Sequence, residues 1–341
     1  MERQQARSRR IWLALAALAA LIWIGRHALA AILTQLAGGY VLMAAALPLC
    51  RMLEKRLPPG AAAGLSLLAL GLAAAGLLLG LIPPLLRQVR QLAESVPGLI
   101  AWAGDQLERL QVVLKGRGVD MNPVREALFE QISSRAGEAV SMAAELAGRA
   151  AQAVGKLFLA PLIGFYLLRD RRRIASLLTL LLPVRWRARA VRAAREMRRE
   201  TAGFIRGQLL VSAAVGALTA AGLLLAGTPG WLALGVLMGV MELVPYVGPV
   251  LAGIPAVLLA LRSGVAQAVW TLLILLAVQQ LEGGVLSPRL LSGATRLHPL
   301  VVLLAVSAGG IFSGALGMIL ALPVVVSVRG ALRGLRGPYA G

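Results

Sequence analysis

The chain alternates long apolar runs with short clusters of arginine. Runs rich in Leu, Ala, Val and Gly occupy 11–25, 28–50, 61–86, about 150–168, 205–227, 231–261, 265–282 and 299–327. A helix needs about 20 mainly apolar residues to cross the hydrocarbon core, whereas a barrel strand needs only about 10. In lipid every backbone N–H and C=O must pair internally, which leaves helices or closed barrels. The runs are too long for strands, so the pattern predicts an all-α polytopic membrane protein of about eight membrane segments. Two runs, 231–261 and 299–327, exceed a single crossing and carry Gly and Pro near their middles. Each is read as a re-entrant or broken helical hairpin in the C-terminal third.

The polar stretches have periods of their own. Leu92, Val96, Leu99, Trp102, Leu107 and Leu110 recur at helical spacing, as do Leu128, Ile132, Val140 and Leu146, with Asn122-Pro123 as the turn between them. This predicts an amphipathic helical hairpin over 88–150, better suited to packing or to a homo-oligomer contact than to a separate binding domain. Pro183–Arg206 is an Arg-rich amphipathic helix carrying Trp186, Val191, Met197 and Phe204. It is expected at the anionic inner leaflet, where each cation contributes about 1 kcal/mol. Four regions result: N-terminal transmembrane helices (1–87), the 88–150 hairpin, a transmembrane helix plus the Arg-rich helix (151–204), and a transmembrane transport core (205–341).

Charge orients these regions. Segment 88–150 holds seven basic and eight acidic residues, a balance of −1, while 169–206 holds twelve basic and three acidic, a balance of +9. Cytoplasmic loops carry the excess of Lys and Arg, so 169–206 faces the cytoplasm and 88–150 lies outside. Arginines in 1–10, Arg51, Lys55 and Arg56, and Arg329, Arg333 and Arg336 place both termini and the 51–60 loop in the cytoplasm. Arg7, Arg9 and Arg10 before Ile11–Ile24 and Ala28-Leu29-Ala30 resemble a cleavable signal peptide. Another apolar run follows at once, so 11–25 is read as an uncleaved first helix.

Composition excludes several functions. Of 341 residues 58% are hydrophobic and 15% charged, against about 45–50% and 25% in a soluble domain. The net charge of +20 would suit a phosphate binder, but the basic residues cluster where helices end, so no nucleic-acid partner is expected. With one cysteine, Cys50, and two histidines, His27 and His298, there is no intramolecular disulfide and no metal-ligand cluster. No cofactor is expected either. A Gly-x4-Gly-Lys-[Ser/Thr] phosphate loop is absent, and no His/Asp/Ser set supports an intramembrane enzyme.

The candidate chemistry sits where the apolar pattern breaks: Glu242-Leu243-Val244-Pro245-Tyr246-Val247-Gly248-Pro249, Gln279-Gln280-Leu281-Glu282-Gly283-Gly284, Ser287-Pro288-Arg289 and Leu297-His298-Pro299. Proline removes a donor and clashes with the preceding turn, and glycine adds freedom, so Pro245 to Pro249 cannot be continuous helix. A faint echo links Pro229 to Pro255, with Gly239 and Gly248 between, to Pro299 and Pro323, with Gly309 and Gly317 between. Glu242 and Glu282 are the only carboxylates in 205–341. A charge at a helix centre costs about 2.5–3.5 kcal/mol on insertion scales, so such acids face a cavity or partner. The functional reading is a proton or cation site lined by the two acids and by carbonyls freed at the breaks. It is favoured for Glu242. For Glu282 it stands level with snorkelling or capping. His298 reads better as a cap before Pro299 than as a proton relay. Gln279 and Gln280 suit either a polar solute or helix-to-helix hydrogen bonds. The GxxxG pairs Gly76/Gly80, Gly203/Gly207, Gly235/Gly239 and Gly310/Gly314 read as packing.

The pieces Phe165-Tyr166-Leu167-Leu168-Arg169-Asp170-Arg171, Pro245-Tyr246-Val247-Gly248-Pro249, Pro288-Arg289, His298-Pro299 and the stretch 310–323, from Gly310-Ile311-Phe312-Ser313-Gly314 to Pro323, occur in this order. Together they resemble the autoinducer-2 exporter family, also called PerM-type permeases, across the whole chain. Ser292-Gly293 departs from the family's usual Gly followed by a basic residue. The resemblance implies about eight membrane helices and transport activity in a bacterial inner membrane. The reading adopted is a secondary transporter that exports a small polar or anionic solute, with coupling to H⁺ or Na⁺ in the manner of an antiporter as an expectation. Members are variously described as exporters of a signalling furanone, sodium/proton antiporters or sporulation membrane proteins. A non-transporting role in envelope or spore assembly is therefore the rival reading.

Overall fold

The computed structural model describes residues 2–77, scattered positions from 79 to 87, and 158–261, 263–291 and 297–336, with backbone alone for 2–27. The expected 88–150 hairpin and the Ser292-Gly293 departure lie outside the described residues. Among these residues the secondary structure is entirely helical. Helix α1 runs Glu2–Leu53 and α2 Pro59–Leu77. They are followed by α3 (Ala160–Arg169), α4 (Arg171–Leu180) and α5 (Val184–Leu225). Next come α6 (Trp231–Met241), α7 (Val247–Leu261) and α8 (Val265–Leu281). A π-helical turn, Glu282–Leu286, joins α8 to the short α9 (Ser287–Leu290), and α10 is Pro299–Arg336.

Among the described residues, five helices are long and apolar enough to cross a membrane: Ala28–Leu53, Pro59–Leu77, Val184–Leu225, Val265–Leu290 and Pro299–Arg336. Their outer faces carry exposed Leu68, Leu72, Leu224, Leu276 and Leu304. A soluble monomer does not show an apolar surface on that scale, whereas lipid covers it.

Two helices are longer than the sequence pattern suggested. The spans expected at 11–25 and 28–50 belong to one helix of 52 residues, about 78 Å long. The linking Gly25-Arg26-His27 contains no proline, and one glycine costs a helix only about 1 kcal/mol relative to alanine. Likewise, the Arg-rich helix expected at the inner leaflet and the span at 205–227 are one helix, α5, of 42 residues. Its Arg-rich half continues the axis of the span instead of forming a separate surface helix.

Among the described residues, three apolar clusters hold the bundle. Met43, Leu47, Ala62, Ala63 and Leu168 join α1, α2 and α3. Val211, Val215, Leu234, Met238, Ala256 and Leu275 join α5 to α8. Phe204, Val306, Leu322 and Val326 join α5 to α10, with Val244 and Val247 packed on them. Glycine lets backbones touch at the α5–α6 crossing, where Gly216 lies against Gly239 and Gly235 against Ala220. Gly207 meets the Leu290 carbonyl, whereas Gly76, Gly80 and Gly203 have no neighbour within 4 Å among the described residues. Outside that pattern, Gly330 and Gly334 of α10 bear on Met197 and Ala193 of α5.

Helix α10 is two arms. Ser313 and Gly314 have non-helical backbone angles, with Gly314 at φ 63°. A Cβ added to Gly309 would stand 2.2 Å from the Gly317 carbonyl oxygen. Eight positions along a straight helix span about 12 Å, so the chain reverses between them. Helices α6 and α7 form the other reversal, through 242–246. Contacts fix the direction of each. Gly239 lies beside Ser212 and Gly235 beside Ala220, so α6 runs antiparallel to α5 and its tip points toward the start of α5. Ser327 bonds Thr201 at 2.7 Å and Gly334 abuts Ala193, so the Ser313–Gly314 tip points the other way. The two hairpins enter the bundle from opposite ends.

Candidate transport site

The break between α6 and α7 is built from its residues. Glu242 closes α6 by donating its N–H to Met238, and Tyr246 adopts φ 65°, a left-handed conformation costing about 1–2 kcal/mol in a non-glycine residue. Gly248 makes the return possible. A Cβ there would lie 1.7 Å from the Met241 carbonyl oxygen, so any other residue would push α7 off the end of α6. Pro249 falls in the first turn of α7, where its missing N–H breaks no helical bond.

Glu242 is only 3% exposed. Its backbone carbonyl accepts a hydrogen bond from Gln208 Nε2 of α5 at 2.7 Å. Its carboxylate faces the Gln279 amide, and Glu282 is close enough to act on it electrostatically. Neither Glu242 Oε2 nor Gln279 Nε2 has a hydrogen-bond partner of good geometry among the described residues, although both are buried. Buried polar atoms are almost always paired, and exceptions mark a catalytic role or an unplaced water or ion. Ser212 Oγ, one turn along α5 from Gln208, is buried and unpaired as well.

The remaining predicted residues fall in different places. Glu282 is half-buried at the start of the π-turn and accepts from the Ser287 hydroxyl, so it is both neighbour to Glu242 and partner to a local cap. Gln280 is exposed. His298 is exposed and its Nδ1 accepts from the Leu300 N–H at 3.3 Å, capping α10 just ahead of Pro299. Pro288 and Arg289 lie exposed in α9. The structure therefore gathers Glu242, Gln279 and Glu282, and adds Gln208. Gln208 was legible only as a polar residue inside an apolar run. Five of the carbonyls around the break, expected to be freed, are engaged instead. Met238, Val240, Met241, Val244 and Pro245 each accept a backbone N–H at or near the break, because the chain tightens into short turns.

Apolar helices of bilayer length, around a buried acid at a broken helix pair, define a multi-pass membrane protein built like a transporter. The chain belongs to the AI-2E transporter family: the family described as "AI-2E family transporter" matches residues 11–337. It is 32% identical over 332 residues to a protein of Mycobacterium tuberculosis (strain CDC 1551 / Oshkosh) named "Putative transport protein MT0215", covering 96% of this chain and 89% of that one. It is 29% identical over 299 residues to "Putative transport protein YueF" of Bacillus subtilis (strain 168), covering 83% and 78%. Over 178 residues it is 32% identical to "Putative permease PerM" of Escherichia coli (strain K12), covering 52% and 50%.

Proposed function

We propose that this membrane transport protein is a secondary exporter of a small polar or anionic solute, coupled to H⁺ or Na⁺ through Glu242. The observation that carries the reading is a carboxylate 3% exposed, with an unpaired oxygen, at the tip of a broken helix. Its neighbours Gln279 and Glu282 come from the end of α8 and from the π-turn that follows, so a change in its charge bears on how the tip of α6 sits against that end. Both hairpins are read as re-entrant. Helix α6, with 11 residues, is about 16 Å long, half the hydrocarbon core of about 30 Å. With 169–206 in the cytoplasm, the α6–α7 hairpin opens outward, the α10 hairpin opens inward, and the C-terminus is cytoplasmic.

Counterflow of a labelled solute panel in proteoliposomes tests transport itself. A permease shows transient accumulation against unlabelled internal solute, whereas a scaffold of envelope or spore assembly shows none for any solute. Once a solute is found, Glu242→Gln is expected to keep exchange but lose the pH dependence of net transport. Glu242→Asp should keep partial coupling with a displaced optimum. Unchanged pH dependence in Glu242→Gln would reduce Glu242 to a helix terminator.

A further inference from the structure

Residues 171–189 hold six arginines and no acid, and two of the six are engaged inside the fold. Arg171 pairs with Glu54, just past the end of α1. Arg187 closes the turn between α4 and α5, its Nε donating to the Leu182 carbonyl at 3.1 Å and its Nη2 to the Leu180 carbonyl at 3.4 Å. The start of α5 is thereby tied to the end of α4. The surface of this elbow is apolar and basic at once. Leu177, Leu180, Leu181, Val184 and Trp186 are exposed, Leu181 by 82% and Val184 by 77%. Arg172, Arg173, Arg185 and Arg189 are exposed beside them, and the Arg189 guanidinium lies 5.2 Å from the centre of the Trp186 ring.

A large apolar residue exposed singly needs no explanation, whereas several gathered in one place mark an interaction surface. Position and charge decide what covers this one. Helix α3 is apolar and ends at Arg169, and α4 starts two residues later. Ten residues of helix are about 15 Å long, so Leu181 stays within roughly 20 Å of the end of α3. The headgroup layer is in reach. With no acid in 171–189, the same surface on a second copy is repelled, and an anionic surface is attracted. Interfacial segments share this make-up, with apolar side chains at the acyl boundary, Trp at headgroup level and cations on anionic lipid. Farther along α5 the helix is committed elsewhere, since Ala193 and Met197 bear on Gly334 and Gly330 of α10. We propose that the α4–α5 elbow is a membrane-surface anchor. Its five apolar side chains enter the acyl boundary of the adjacent leaflet, and Arg172, Arg173, Arg185 and Arg189 bind anionic headgroups. The leaflet contact expected of the Arg-rich helix then falls on the corner before it.

Fluorescence quenching tests this without knowledge of the solute. Full-length protein carrying Cys50→Ser and Leu181→Cys is labelled with a nitrobenzoxadiazole fluorophore and reconstituted at low protein-to-lipid ratio. The vesicles are phosphatidylcholine alone or with phosphatidylglycerol. Quenching is read with a lipid bearing a nitroxide near its headgroup, and with iodide from the water. Leu276→Cys, on the exposed face of α8, is the reference for a lipid-facing site. With phosphatidylglycerol present, the label at position 181 is expected to be quenched by the nitroxide lipid and protected severalfold from iodide. Replacing Arg172, Arg173, Arg185 and Arg189 together by Gln, with size exclusion as the check on folding, is expected to remove the gain given by phosphatidylglycerol and leave the reference unchanged. Iodide quenching without nitroxide quenching overturns the inference, because the elbow then stands in water. Protection from both quenchers overturns it in favour of a protein cover, such as a second copy. Nitroxide quenching that is equal in the two lipid mixtures, and unchanged in the Gln variant, overturns the role of the arginines.

Discussion

At the scale of single residues, what decides whether a position tolerates change is the backbone next to it. Gly248→Ala places a methyl 1.7 Å from the Met241 carbonyl oxygen. Overpacking costs typically about 1–3 kcal/mol, and backbone cannot step aside as a side chain can. The variant is expected to melt well below wild type in detergent, while Gly283→Ala, with no neighbour within 4 Å, melts within a degree or so of it. Equal melting of the two would show that the α6–α7 return is not held by this contact. The break was legible in the sequence because Glu242, Pro245 and Gly248 interrupt an otherwise apolar run. Gln208 was not, since a glutamine two residues after Arg206 reads equally well as the polar margin of a span. Gly330 and Gly334 escaped for a similar reason: they lie among arginines, where hydropathy does not look for packing.

At the scale of elements, the end of α1 and the start of α4 are joined, on the side predicted to be cytoplasmic, by a partly buried clasp. Arg171 pairs with Glu54, whose other oxygen accepts from the Cys50 thiol at 3.6 Å. The hydrogen bond and charge of Arg171 hold the Glu54 carboxyl below its ordinary value of 4.5. A carboxyl with a depressed folded value adds stability above its unfolded value and loses it as the pH falls through the folded one. Arg171→Gln is therefore expected to lower the melting temperature by a few degrees at neutral pH, with the gap to wild type closing as the pH drops below 4.5. A gap independent of pH would assign the loss to packing. The neighbouring α1–α3 contact is glycine-built, since a Cβ on Gly39 would stand 2.5 Å from Ile163. Helix identity was legible from hydropathy, but helix continuity was not. Hydropathy records which residues suit lipid, and nothing in it distinguishes a turn from a polar patch inside a helix. The fused helices α1 and α5 are the result.

At the scale of the whole molecule, the charge asymmetry between 88–150 and 169–206 makes a prediction about sidedness. In a Cys50→Ser background, single cysteines at Gly118 and Arg189 are expected to react with a membrane-impermeant maleimide from opposite faces. Reaction at Gly118 only after the inner face is opened would reverse the orientation. The polar seam inside the bundle bears on how the protein is made. Thr201, Gln208, Ser212 and Thr219 are buried along α5. Gln208 meets its partner only in a residue synthesised later, Glu242, and Thr201, already bonded to the Met197 carbonyl and to Tyr40, gains Ser327 later still. Glu242 follows Gln208 by 34 residues and Ser327 follows Thr201 by 126, so until Glu242 is made the Gln208 amide stands against lipid or against the insertion machinery. Insertion and assembly are therefore separate stages in this chain. A nascent protein stopped short of α10 is a membrane-integrated intermediate with an uncovered polar face, the form that membrane chaperones and quality-control proteases recognise.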